Sequence, residues 1–120
     1  MKIAITAQGQ DLTSELDGRF GRCAYFVVCD TESGDVVAID NAQNFNAAQG
    51  AGIQAARHVA DAGAEAVIST SVGPKAYATL TGAGIAVYSA SGGTVGAALE
   101  AFKVGELTRM DSSNVESHWI

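Results

Sequence analysis

No stretch of the 120 residues stays apolar for the about 18 positions that a membrane-crossing helix requires. The start, Met1-Lys2-Ile3-Ala4-Ile5, has no basic region, apolar core and small-residue cleavage site of the signal-peptide kind, and runs straight into a strand-like segment. These absences predict a cytoplasmic protein whose thiols stay reduced. Positive charge is scarce: seven Lys and Arg against thirteen Asp and Glu leave a formal net charge of −6. Nonspecific nucleic-acid and anionic-membrane binding both need a basic face, so neither is expected. A small anion is still compatible, because a local pair of arginines or a helix N-terminus acts at short range while distant charge is screened.

Cysteine occurs twice, at 23 and 29. If both lie on one strand, six residues separate them by about 20 Å. A disulfide needs about 4.4–6.8 Å between Cα atoms, so within one strand they neither bridge nor share a metal. With 48% hydrophobic and 17% charged residues the chain is globular rather than disordered. Its length suits one domain that buries roughly two-thirds of its unfolded surface.

Met1–Thr6 is isoleucine-rich, as a buried first strand would be. A long glycine-punctuated connection, Ala7–Gly21, precedes a second strand over Ala24–Asp30. Thr31–Asp35 reads as a five-residue hairpin loop into a third strand, Val36–Asp40. After a polar loop over Asn41–Gln49, helical spacing begins at Gly50, with Ile53, Ala56, Val59 and Ala60 on one face and Gly63 as the stop. Ala66–Ser69 is a short buried strand, and Pro74 suits the first position of a helix to about Thr81. Ile85–Tyr88 is the fifth strand, and Thr94 caps a last helix that places Val95, Ala98, Leu99 and Phe102 inward. The single domain is expected over 1–107, with a polar tail over 108–120 that ends His118-Trp119-Ile120.

The order βββαβαβα permits few sheets. Parallel right-handed crossovers join the later strands, and the hairpin sets the second strand antiparallel beside the first. The prediction is an α/β fold with a five-stranded mixed sheet, order 3-2-1-4-5, helices on both faces, and a ribonuclease-H-like arrangement. Ligands of open α/β sheets collect at the carboxyl ends of the parallel strands. That rim gathers Ala7-Gln8-Gly9-Gln10, Ser69–Gly73 with Ser71, and Ser89–Gly93 with Ser91, Gly92 and Gly93. The antiparallel second strand brings Phe20-Gly21-Arg22-Cys23 to the same end. Helix N-termini at Gly50, Gly73-Pro74 and Thr94 point there too, and their N–H groups favour an anion.

Catalytic constellations are missing. The first strand carries no carboxylate for a two-metal nuclease. Gly73-Pro74-Lys75 lacks the loop of a phosphate-binding G-x-x-x-x-G-K-[ST] segment. The two histidines, His58 and His118, stand in no nucleophile–base–acid pattern. Gly50-Ala51-Gly52-Ile53-Gln54-Ala55 matches G-x-G-x-x-[GA], but a polar loop precedes it and the next strand ends Ser69-Thr70 without an acid. Gly50 and Gly52 are therefore expected to let a helix N-terminus approach a neighbour or an anion closely.

Arg22 and Arg19, bracketing Phe20-Gly21, are the candidate anion contacts. Cys23, beside Arg22, reads two ways: a soft metal ligand with a lowered pKa, or a small strand residue. Cys29, deep in an apolar run, reads as structural. His58, on the polar face of its helix, reads as solvated.

Three segments in order, Gly18-Arg19-Phe20-Gly21-Arg22-Cys23-Ala24-Tyr25-Phe26, Gly50–Ala56 and Val72-Gly73-Pro74-Lys75-Ala76-Tyr77, resemble the dinitrogenase iron–molybdenum cofactor biosynthesis family. The likeness runs from about Met1 to Leu107. It implies a ribonuclease-H-like fold and a carrier or scaffold, not an enzyme, for an anionic metal–sulfur cluster or an iron–molybdenum–sulfur precursor. A stand-alone domain with F-G-R-C and a His-Trp tail is similar to members that hold a molybdenum–copper sulfide cluster non-covalently and associate with MinD-type ATPases. For this chain the resemblance implicates the glycine rim, Arg22 and Cys23. No cysteine-rich motif for a thiolate-ligated iron–sulfur cluster is present. Two other functions fit the same features: an interaction module that docks a partner ATPase, and a nucleotide or phosphate binder.

Overall fold

The computed structural model describes residues 1–41 and 50–113. The expected polar loop after Asn41 and the His118-Trp119-Ile120 end lie outside them. Strands β1 (Lys2–Ala7), β2 (Tyr25–Asp30), β3 (Val36–Asp40), β4 (Ala66–Ser69), β5 (Ala86–Ser89) and β6 (Thr108–Arg109) form one sheet, order β3-β2-β1-β4-β5-β6. β1 is central: it pairs antiparallel with β2, Ile5 opposite Val27, and parallel with β4, Ile5 beside Ile68. Both faces of the sheet are covered there, so β1 is buried from Ile3 to Ala7. β3 has a neighbour on one side only and stays partly exposed.

Helices α1 (Ala51–Asp61), α2 (Pro74–Gly82) and α3 (Val95–Lys103) divide between the faces as right-handed crossovers require. Ala55, Ala56 and Val59 of α1 and Ala76 and Leu80 of α2 pack with Ala4, Phe26, Val28, Val67 and Val87. On the other face Val95, Ala98 and Leu99 of α3 meet Ile3, Ile5, Val27, Cys29 and Ile68. Small residues dominate the inner face of α1, so the helix lies close to the sheet. Its buried stripe, Ala51-Gly52-Ala55-Ala56-Val59, is rotated from the expected one, leaving Ile53 and Ala60 half-buried. Ile53, the largest side chain of the expected stripe, does not fit the narrow gap that alanine and glycine fill.

The sheet has a sixth strand where a polar tail was expected. Thr108 pairs with Ser89 and Arg109 with Tyr88, and the next residue, Met110, is buried against the α1/α2 face. Met110 N donates to Val87 O at 2.8 Å, and Tyr77 Oη donates to Met110 O at 3.0 Å. Beyond the pairing with β5, one apolar side chain, one backbone bond and one bond from the Tyr77 hydroxyl hold this short edge.

Candidate functional site

Helices α1, α2 and α3 present their N-termini at the carboxyl ends of β1, β4 and β5, and the long β1–β2 loop straddles that rim. Its first half lies on the α3 side, where Leu16 joins the core below and Glu15 bridges Thr94. It crosses at Asp17, whose N–H donates to Thr6 O at 3.1 Å. The second half descends on the α1/α2 side, where Phe20 and Cys23 are core residues.

That crossing closes one of the three expected anion positions. Val95 N donates to Ser14 O at 2.9 Å, Gly96 N to Leu12 O at 2.8 Å, and Ala97 N to the Thr94 hydroxyl at 3.2 Å. The N–H groups at the start of α3 are thus taken by the chain itself, and Thr94 caps its helix without opening a site. Gly9, Ser91, Gly92 and Gly93 belong to this closed side. Gly9 lies against Ser14, where a Cβ would meet the Ser14 side chain. Gly93 O accepts from Leu16 N at 2.9 Å. Gly92 and Gly93 have φ values of 120° and 92°, a turn that side chains resist.

The other side gathers the rest of the predicted set among the described residues. Phe20 N donates to Ser71 O at 3.0 Å, which ties the Arg19–Cys23 segment to the β4–α2 loop. Gly21 lies directly on α1: a Cβ there would stand 2.8 Å from Gly52 N and 2.9 Å from Gly52 Cα. Of the G-x-G segment, Gly52 lies at this close approach between backbones, whereas a Cβ on Gly50 would meet nothing within 4 Å and the glycine there serves a φ of 78°. Both helices here end on glycine, Gly50 for α1 and Gly73 for α2, and so carry no side-chain cap. Neither has an acidic residue in its first turn. Their positive ends are not offset from within. Arg22 is half-buried beside them, Arg19 is exposed, and Lys75 is exposed in the first turn of α2.

Two predicted contacts are corrected. The Phe20 ring is fully buried, its centroid 5.2 Å from that of Phe26, so only its backbone belongs to the rim. Cys23 is fully buried as well, not on a strand, and its thiol donates to Phe20 O at 3.3 Å. Burial, and then the Asp17 carboxylate, push this thiol far above the ordinary thiol range. The lowered pKa considered for Cys23 is reversed: its surroundings favour the protonated thiol. Cys29 is buried on the opposite face of the sheet.

Sequence reasoning missed what holds the rim. The buried polar side chains among the described residues are Thr6, Asn41 and Ser69, and all three lie beneath it. Thr6 Oγ1 donates toward Asp17 O at 2.9 Å and lies 3.3 Å from Ser69 Oγ, which in turn donates to Ser71 O at 3.3 Å. Asn41 bonds to the carbonyls of Gly21 and Cys23. Asp17 accepts from Arg19 N at 3.1 Å and Ala24 N at 3.4 Å, closing the turn that carries Arg22. The signal in the sequence was a hydroxyl ending each of two apolar strands, Thr6 and Ser69. Asn41 carried none.

Among the described residues no three His, Cys, Asp or Glu side chains come together to hold a metal ion. No helix is long and apolar enough to cross a membrane. A concavity of about 190 Å³, lined by Lys2, Val28, Asp30, Val37 and Ile39, lies at the opposite end of the strands from the rim.

Residues 1–105 match the family described as dinitrogenase iron-molybdenum cofactor. The apo form of the orange protein from Desulfovibrio gigas superposes with a TM-score of 0.92 at 38% identity, over 95% of this chain and 96% of that one. A Thermotoga protein assigned as NifB superposes with a TM-score of 0.84 at 37% identity, over 95% and 97%. An uncharacterised protein of Methanocaldococcus jannaschii is 30% identical over 113 residues, 92% of each chain. Family match, sequence likeness and fold thus agree across nearly the whole length: the chain belongs to the dinitrogenase iron–molybdenum cofactor family.

Proposed function

We propose that this protein is a non-catalytic carrier of an anionic, molybdenum-containing metal–sulfide cluster, with a molybdenum–copper sulfide cluster as the cargo. The observation that carries the reading is the α1/α2 half of the rim. Two helix N-termini, both glycine-ended and free of first-turn acids, meet at the turn that bears Arg22.

A thiomolybdate-type cluster brings its own sulfide ligands, so the chain need not donate thiolates. This agrees with a donor set that lacks metal-ligating clusters among the described residues and a Cys23 thiol held protonated. What such an anion requires is positive potential and N–H groups. Two helix termini contribute roughly 0.3–1 kcal/mol each, and two arginine contacts roughly 1.5–3 kcal/mol each. The sum, about 4–8 kcal/mol at most, corresponds to millimolar to micromolar dissociation constants. Binding in that range is reversible, as delivery demands.

Reconstitution with tetrathiomolybdate and copper should give stoichiometric bound metal and visible charge-transfer bands. Arg22→Ala should leave the fold intact and weaken retention about tenfold, the loss of one such contact. Folded protein that retains neither metal would overturn the proposal. Calorimetric titration with ADP and inorganic phosphate is the counter-test: tighter binding of either than of thiomolybdate would make the rim a phosphate site.

A further inference from the structure

Asn41 follows the last residue of β3, and its side chain is completely buried. Its N–H donates to Ala24 O at 2.9 Å, one rung beyond the β2–β3 ladder. Its amide nitrogen Nδ2 lies 3.0 Å from Cys23 O and 3.3 Å from Gly21 O, with Cys23 Sγ at 3.7 Å. An amide nitrogen has two hydrogens, enough for both carbonyls. Those carbonyls flank Arg22. One buried group from the far side of the hairpin thus sets two peptide planes, one on each side of the candidate anion-binding arginine.

An apolar residue would fill the volume, whereas a buried polar group is costly unless its hydrogen bonds are made. The turn it holds is also the one whose Gly21 rests on α1. Asn41 therefore fixes the arginine relative to the helix N-terminus. We propose that Asn41 is the positioning residue of the cluster site, holding the Gly21–Cys23 turn so that the cargo is bound in one fixed orientation. This rests on the carrier reading above.

The test loads wild type, Asn41→Ala and Asn41→Asp with tetrathiomolybdate and copper(I), and records visible circular dichroism per bound molybdenum at saturation. An achiral chromophore gains such a signal only from fixed chiral surroundings. Asp is nearly isosteric, but as a carboxylate it has no hydrogen to donate to either carbonyl. Both variants should bind at least tenfold more weakly and, even when saturated, show no more than half the wild-type signal per molybdenum.

Leu80→Ala, in the core near the far end of α2, supplies a destabilised control. It should keep the wild-type affinity and signal. Wild-type behaviour in both Asn41 variants, or an equal loss in Leu80→Ala, overturns the inference. Asn41→Ser, which keeps one donor, replaces either variant that does not fold and should fall between. If wild type itself takes up no cluster, the carrier reading fails, and amide exchange in the unloaded protein decides the positioning role. Gly21–Ala24 should then exchange at least tenfold faster in Asn41→Asp while Ile5 and Ile68 are unchanged; unaltered exchange at Gly21–Ala24 overturns it.

Discussion

Gly21 and Gly52 touch backbone to backbone: a side chain at position 21 would place its first carbon 2.8 Å from Gly52 N. The obstacle is the first turn of α1, which cannot swing aside as a flexible side chain would. Gly21→Ala must therefore push the Arg22 turn away from the helix. The expected cost is about 1–3 kcal/mol, read as a lowered urea midpoint with an unchanged slope. Cluster retention should fall with it, because the arginine and the helix N-terminus no longer share a site.

Thr94→Ala should separate stability from binding in the opposite sense. The Thr94 hydroxyl accepts from Ala97 N, and its loss should cost about 1 kcal/mol. Val95 N and Gly96 N are already bonded to Ser14 and Leu12 carbonyls, so the start of α3 contributes no donors to a cargo. Retention of thiomolybdate by Thr94→Ala should match wild type. A large loss would put the cargo on the α3 side and reopen Ser91, Gly92 and Gly93 as contacts.

The fold was legible because its elements are locally marked. β-Branched runs such as Val36-Val37-Ala38-Ile39 and stops such as Gly63 and Gly84, both at positive φ, leave few alternatives. Topology then brought the predicted loops to one rim. That the α3 half of the rim is closed was not legible, because Leu12 and Ser14 meet α3 through backbone carbonyls, which any sequence possesses. Cys23 and Phe20 misled for a related reason. The turn alternates between facing outward at Arg22 and inward at its neighbours, and no strand or helix period marks which is which. β6 is two residues long, too short to show a period at all.

Alkaline pH should destabilise the protein through Cys23. Burial raises the thiol in the folded state above its unfolded value near 9. Below that value both states hold the proton and the stabilisation is fully present. As pH rises past it, only the unfolded chain releases its proton, so stability falls, by up to about 1.4 kcal/mol per pH unit. Burial shifts Cys29 in the same direction. Urea midpoints between pH 8 and 10 should fall steeply in wild type and less steeply in Cys23→Ala. An equal slope in both would mean that the Cys23 thiol ionises in the folded protein. Iodoacetamide at pH 8 should accordingly leave Cys23 unmodified until the protein unfolds.

Met110 tests where the domain ends. The sequence places the boundary at Leu107, yet Met110 is buried with Val87, Leu80 and Val67 three residues beyond it. Its two hydrogen bonds run through its backbone, so Met110→Ala removes packing alone. A buried methionine truncated to alanine costs about 2–5 kcal/mol, and a site beside a two-residue edge strand can relax, which puts the expectation near 2. Tyr77→Phe removes the hydroxyl that bonds to Met110 O and should cost about 1 kcal/mol. Because the two changes meet at one residue, their sum should exceed the cost of the double variant, as coupled neighbours do. A loss below about 0.5 kcal/mol for Met110→Ala, within the range of surface substitutions, would make β6 an appendage and return the boundary to Leu107.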